Sequence, residues 1–232
     1  MTAEMGSRSR DAGRSKDILS AFTRNMARHG YAGSNFSEIA NELGISKGTI
    51  VHHYGTKDQL FARMHDSYME RRLEEAKEIV SQLKSPEQRL AGLLFAFILY
   101  QDVDRDATVA FQRSIATVAT HDALAHGREL RASYLALVRS VLDDGVRSGV
   151  FRGLDVEVQS LLIFGASQWA WTWFHLRDRM TTLEVGGQFV QLALGGLLVD
   201  RDPLDRLADP AGTVATTVAD IVGEHAHSPD AQ

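Results

Sequence analysis

From Asn35 to Leu60 the chain reads NFSEIANELGISKGTIVHHYGTKDQL, and its apolar positions fall in two short helical bursts. Phe36, Ile39, Ala40 and Leu43 recur on one face at helical spacing. Asn35 stands three residues before Glu38, the spacing of a capping box, and Gly44 supplies a left-handed stop. Ser46 caps a second short helix, SKGTIVHHY, which Gly55 ends. At about 100° per residue, Ile50 and Tyr54 fall roughly 40° apart and face inward. Gly48, Thr49 and His52 lie opposite them, with Val51 and His53 on the flanks. Two short helices joined by a Gly-containing turn form a helix-turn-helix, whose second member enters a DNA major groove.

The polar face of that second helix carries matching chemistry. An exposed helical glycine costs roughly 1 kcal/mol relative to alanine, a cost that close backbone approach to DNA explains at Gly48. Thr49 and His52 bring donors and acceptors for base edges or phosphates. Lys47 has the reach and charge for a phosphate. Thr56 caps a long helix, and Lys57 in its first turn sets a cation beside exposed N–H groups, a phosphate anchor.

The remaining apolar pattern is helical throughout, which predicts an all-α chain. Ile18, Phe22 and Met26 place a first helix behind the reading unit. A long helix runs from Lys57 through LFARMHDSYMERRLEEAKEIVSQL, and Ser85-Pro86 opens PEQRLAGLLFAFILYQ. Further helices are expected near 104–118, 123–148, 156–176 and 182–199, with Asp155 as a cap after the tight connection GVFRGLD. The expected division is a disordered basic arm over 1–14 and a three-helix helix-turn-helix DNA-binding domain over 15–60. A helical ligand-binding and dimerisation domain follows over 61–204, then a disordered tail over 205–232.

The motifs also carry a resemblance. The stretch from Ile18 to Phe61, with ARHGY (Ala27 to Tyr31) and IANELGISKGTIVHHYGTK (Ile39 to Lys57), resembles the DNA-binding domain of the TetR, or tetracycline-repressor, family of bacterial transcriptional regulators. The resemblance implies that Ser37, Lys47, Gly48, Thr49, Val51, His52, His53, Tyr54 and Lys57 line or abut double-stranded DNA. One departure stands out: Val51 occupies a position where the family usually has Tyr. The family also implies a homodimer built by the last two helices as a four-helix bundle, with Gly186, Gly187, Phe189, Gly195 and Gly196 as the close-approach positions. N-terminal arms in the family touch the minor groove or the DNA backbone.

A second, weaker resemblance covers residues 86–199. GVFRGLDVEV and WTWFHLRDRMTTLEVGGQFVQLALGGL are similar to actinobacterial regulators of fatty-acid and sterol breakdown, which often respond to acyl-CoA esters. It implies a small apolar ligand, an acyl-CoA or another elongated apolar molecule. Phe95, Phe111, Phe164, Gln168, Trp169 and Trp173 are the candidate walls of its pocket. The helix from Asp155 to His175 has no Lys or Arg, so Arg113, Arg128 and Arg131 are the candidate cations for CoA phosphates. Each tryptophan taken alone is more often core or interface than ligand contact.

Composition narrows the class. The 232 residues are 44% hydrophobic, enough for a sizeable core, and hold no cysteine, which excludes thiolate chemistry and fits a reducing cytoplasm. Net charge is −5, but residues 1–60 hold eight Lys and Arg against six Asp and Glu, so the reading unit is the basic part. The apolar run at 161–174 is shorter than the roughly 20 residues that cross a membrane, and Gly165, Ser167, Gln168 and Thr172 interrupt it. No G-x-S-x-G, P-loop or H-E-x-x-H occurs, and His121 and His126 miss the i, i+4 spacing of a metal pair. No catalytic residue, metal or cofactor is expected. The expected function is a DNA-binding repressor released from a pseudo-palindromic operator by its ligand. The alternative is a helical ligand-binding protein or adaptor without DNA-binding activity, against which Gly48, Thr49 and Lys57 speak.

Overall fold

A computed structural model describes residues 2–118, 124–174 and 179–227. His121, Ala123, His175, Leu176 and the last five residues of the tail lie outside them. The helices are α1 (Thr2–Gly33), α2 (Phe36–Leu43), α3 (Lys47–Tyr54), α4 (Lys57–Gln82), α5 (Pro86–Val103) and α6 (Arg105–Val118). They continue with α7 (Ala125–Arg147), α8 (Val156–Gln168), a short 3-10 turn (Ala170–Thr172), α9 (Thr182–Leu197), α10 (Leu204–Ala208) and α11 (Thr213–His227). Among the described residues the only extended pairing is an isolated antiparallel bridge between Phe151 and Leu198.

The chain divides into two compact units. The first comprises Met1–Met69 and Asp106–Arg128, the second Glu70–Arg105 and Glu129–Ala231. The first thus reaches beyond the expected 15–60 head, taking half of α4 and nearly all of α6. Its core joins Ile18, Phe22 and Met26 of α1 to Ile39 and Ala40 of α2 and Ile50 of α3. Leu60, Phe61 and Met64 of α4, Ala110 of α6 and Leu124 complete it. Burying one such large apolar side chain contributes about 1.5–3 kcal/mol, enough for a few of them to fix three short helices.

In the second unit α5 is the central helix, buried without a break from Leu90 to Ala96. α9 and α11 pack against it, and α10 packs on α9. Gly186 admits the Phe95 ring, and Gly187 lies against the Ala208 carbonyl. These two glycines, expected at a dimer interface, are therefore consumed inside the single chain. Arg72 and Glu75 of α4 are buried as an ion pair at 3.0 Å, and Arg72 also donates to Asp104 at 2.7 Å. Burial pushes the Glu75 carboxyl up, against the pull of Arg72.

Three expectations are corrected. Residues 2–14 are not an irregular arm but the helical start of α1. Of the expected loose tail over 205–232, the described part, 205–227, is packed: Val214, Ala215, Val218, Ile221 and Val222 of α11 are buried, at the i, i+1, i+4, i+7, i+8 spacing of an amphipathic helix. The helix expected over 156–176 ends at Gln168. Beyond it the Thr172 N–H and hydroxyl both reach back to the Trp169 carbonyl, tightening the backbone into a 3-10 turn.

Candidate nucleic-acid interface

Local capping positions the reading helix. The Asn35 side chain accepts the Ser37 and Glu38 N–H groups at 3.0 and 3.1 Å, opening α2. Glu38 turns to accept from Asn25 at 2.7 Å instead, and that hydrogen bond holds its carboxyl below the usual range. Gly44 ends α2 at φ 62°, the left-handed conformation, so that Ile45 N–H reaches the Ala40 carbonyl at 2.9 Å. Ser46 then caps α3 by accepting the Thr49 N–H at 3.1 Å. Thr56 and Gln59 form a reciprocal box at the start of α4.

The back of α3 is locked. Ile50 is fully buried, and the Tyr54 ring packs against the same core. The Tyr54 hydroxyl is within 2.8 Å of both the hydroxyl and the carbonyl of Ser15, tying α3 to α1. The front is open. Lys47, Gly48 and His52 are exposed, and Val51 is 51% exposed. Nothing but the Ser46 hydroxyl comes within 4 Å of a Cβ at Gly48, so the backbone there is bare.

Other predicted residues are already engaged. Ser37 is half-buried in the first turn of α2. The Thr49 hydroxyl bonds Ser46 Oγ at 3.0 Å. His53 Nε2 lies 3.5 Å from the Asp11 carboxylate, with its side chain only 9% exposed. Lys57 Nζ donates to the Tyr31 carbonyl and stands 4.3 Å over the Tyr31 ring. Desolvation in that position lowers the Lys57 pKa. Tyr31 itself donates to Asp58, and burial with that hydrogen bond raises its hydroxyl to about 12.

The residues predicted to line a ligand pocket are divided between the two units. Phe95 is buried under Gly186. Phe111 stacks on Tyr68 with ring centroids 4.5 Å apart, and Arg113 donates to the Ala27 and Arg28 carbonyls, all within the first unit. Arg128, Trp169 and Trp173 are exposed, and Gln168 is half-buried. Phe164 does meet other rings, Phe97 at 5.3 Å and Tyr134 at 5.7 Å. Arg131, one turn before Tyr134 on α7, is half-buried, which lowers its pKa. Of the remaining dimer candidates, Phe189 packs on Ile98, Ala170, Phe174 and Val185, Gly195 is half-buried and Gly196 is open. Sequence reasoning missed Phe97, Tyr134, Asp11 and Ser15; only the aromatic character of the first two was a signal.

Known proteins decide the family. The model described as "Bacterial regulatory proteins, tetR family" matches residues 18–64, and "Tetracyclin repressor-like, C-terminal domain" matches 83–197. The chain belongs to the TetR family. Its helix-turn-helix is that of a TetR-family transcriptional regulator. The HTH-type transcriptional repressor KstR2 of Mycobacterium tuberculosis is 22% identical over 182 residues, 78% of this chain and 91% of that one. Its solved structure, described as a ketosteroid transcriptional regulator, superposes with a TM-score of 0.73, covering 81% of this chain and 96% of that chain. AibR, solved with isovaleryl coenzyme A and operator DNA, gives a TM-score of 0.71 at 22% identity, covering 77% and 97%. FadR from Bacillus subtilis, solved with stearoyl-CoA, gives 0.64 at 22% identity, covering 78% and 98%. At these identities the structural likeness establishes the TetR fold. No helix among the described residues is long and apolar enough to cross a membrane.

Proposed function

We propose that this TetR-family chain is a cytoplasmic, homodimeric repressor of a pseudo-palindromic operator, released by an acyl-CoA ester. The observation that carries the DNA reading is the division of α3: a locked back at Ile50 and Tyr54, an open front at Lys47, Gly48, Val51 and His52. An adaptor without DNA binding has no use for a bare glycine backbone between a cation and a histidine. Support for dimerisation comes from apolar side chains left outside on the single chain: Val158, Leu161, Leu162 and Trp169 on α8 and its cap, with Leu192 on α9 and Val199 just beyond it. One short reading helix spans few base pairs, so specificity calls for a second on the next major groove.

The ligand reading rests on the second unit and on relatives. Phe97, Tyr134 and Phe164 bring α5, α7 and α8 together through ring edges, an apolar lining with Arg131 one turn away. Isovaleryl-CoA and stearoyl-CoA accompany AibR and FadR. A ligand that favours one arrangement of the dimer shifts the population of binding-competent heads, and roughly 1–3 kcal/mol of differential affinity is a usable coupling. The test uses an operator selected from random DNA with the intact protein, its release followed by fluorescence anisotropy. Isovaleryl-CoA or stearoyl-CoA should release it where the matching free acids do not. Release by neither ester discards the ligand class, and failure to select any DNA discards the repressor.

A further inference from the structure

The open face of α3 holds one side chain that can neither donate nor accept a hydrogen bond. Val51 is 51% exposed there, among Lys47, Gly48 and His52. A single exposed valine on an ordinary surface calls for no explanation. This one stands three residues after Gly48, with His52 four residues after it, so both are neighbours of Gly48 on the next turn. At about 100° per residue, Val51 falls roughly 60° to one side of Gly48 and His52 roughly 40° to the other. Helical side chains lean towards the N-terminus, so both overhang the turn that begins at Gly48. At Gly48 itself nothing but Ser46 Oγ, at 3.5 Å, comes within 4 Å of where a Cβ would stand. The result is a strip of bare backbone with an isopropyl group on one side and an imidazole on the other.

The surroundings narrow what α3 has left for reading bases. The Thr49 hydroxyl is bonded to Ser46 Oγ at 3.0 Å, His53 faces Asp11, and Tyr54 is tied to Ser15. Lys47, a long cation, suits a phosphate, a contact that positions the helix without specifying sequence. His52 and Val51 remain, the first for hydrogen bonds. What a major groove offers an isopropyl group is the C5-methyl of thymine; the other groups that mark a base there are donors or acceptors. Pressed on one of those, Val51 would strip its water without replacing the lost hydrogen bond, a burial that costs free energy. β-branching leaves valine one strongly preferred χ1 well in a helix, so the methyls of Val51 are placed before DNA arrives. We propose that Val51 is a specificity-determining residue, which selects thymine through its methyl group at one position of the sequence that α3 reads. The inference rests on the DNA reading above and assigns the chemistry of one base within it.

Deoxyuridine, which pairs as thymidine does but lacks the methyl, tests it on the full chain. An operator selected from random DNA is remade with each thymine in turn replaced by uracil, and affinities are read by fluorescence anisotropy. For wild type, one thymine in the stretch read by α3 should be sensitive, binding about fourfold more weakly without its methyl, the worth of one buried methyl-sized group. Val51→Ala should bind the thymine and uracil forms of that position equally well. Each protein is compared with itself on two DNAs, so a general loss of affinity in the variant cancels. At the same position 5-methylcytosine should bind wild type about fourfold better than cytosine, which ties the effect to the methyl rather than to the base pair. A wild type with no methyl-sensitive thymine overturns the assignment, as does a Val51→Ala variant that keeps the sensitivity at the same position. Failure to select any DNA would instead overturn the DNA reading, and the methyl contact with it.

Discussion

His52 and His53 are neighbours in sequence with opposite surroundings. Their rings stand 5.5 Å apart, but His52 is exposed on the reading face while His53 is nearly covered and faces Asp11. His52→Ala should therefore alter which base is preferred at one half-site position, at a cost of about 1–3 kcal/mol. His53→Ala should leave the selected-site profile intact and loosen the N-terminal part of α1, visible as faster amide exchange before Asp17. Identical profiles for wild type and His52→Ala would remove that residue from base reading. At this scale the sequence told much: helical angle alone separated Ile50 and Tyr54 from Gly48 and His52. What it hid was partner choice across long separations. Tyr54 with Ser15, His53 with Asp11 and Arg113 with Ala27 join residues that no local pattern links, because tertiary packing selects them.

Elements were legible wherever a cap announces them. Asn35, Ser46, Asp155 and Thr181 each accept an N–H in the first turn of the helix they open. The end of α8 was hidden because its sequence is apolar nearly all round, so periodicity carries no information on where the helix stops. α11 is the opposite case: its apolar stripe was present in TVATTVADIVGEHAH, and the polar, proline-containing surroundings outweighed it. Its burial makes it a structural member of the second unit. Val218 is fully buried and would touch a Cβ at Gly92 of α5 at 3.4 Å. Ile221, 2% exposed, sits one turn later. Ile221→Ala should destabilise by about 2–5 kcal/mol, the usual range for emptying a packed core position. Urea unfolding checks this; a change below about 0.5 kcal/mol would mean that α11 contributes no more than a surface segment does.

At the scale of the molecule, two sets of residues compete for the role of subunit interface, and substitution separates them. A side-chain carbon at Gly187 would run into the Ala208 carbonyl, and one at Gly186 into the Phe95 ring. Gly187→Ala therefore acts on the single chain: the urea midpoint should fall, since a backbone carbonyl cannot yield as a flexible side chain does. Leu162 and Leu192, 62% and 76% exposed, touch little within the chain. Leu162→Glu or Leu192→Glu should leave the helical content and the midpoint of a dilute sample close to wild type. On association each places a carboxylate in a desolvated apolar contact, a burial that carries a heavy cost without a partner. Sedimentation at micromolar concentration should then show a dimer for wild type and a monomer for the Glu variants. Operator affinity should drop roughly a hundredfold or more, because two linked heads have become two separate ones. A Glu variant that still sediments as a dimer would move the interface away from α8 and α9. A wild-type monomer would remove the linked heads altogether, and with them any operator of paired half-sites.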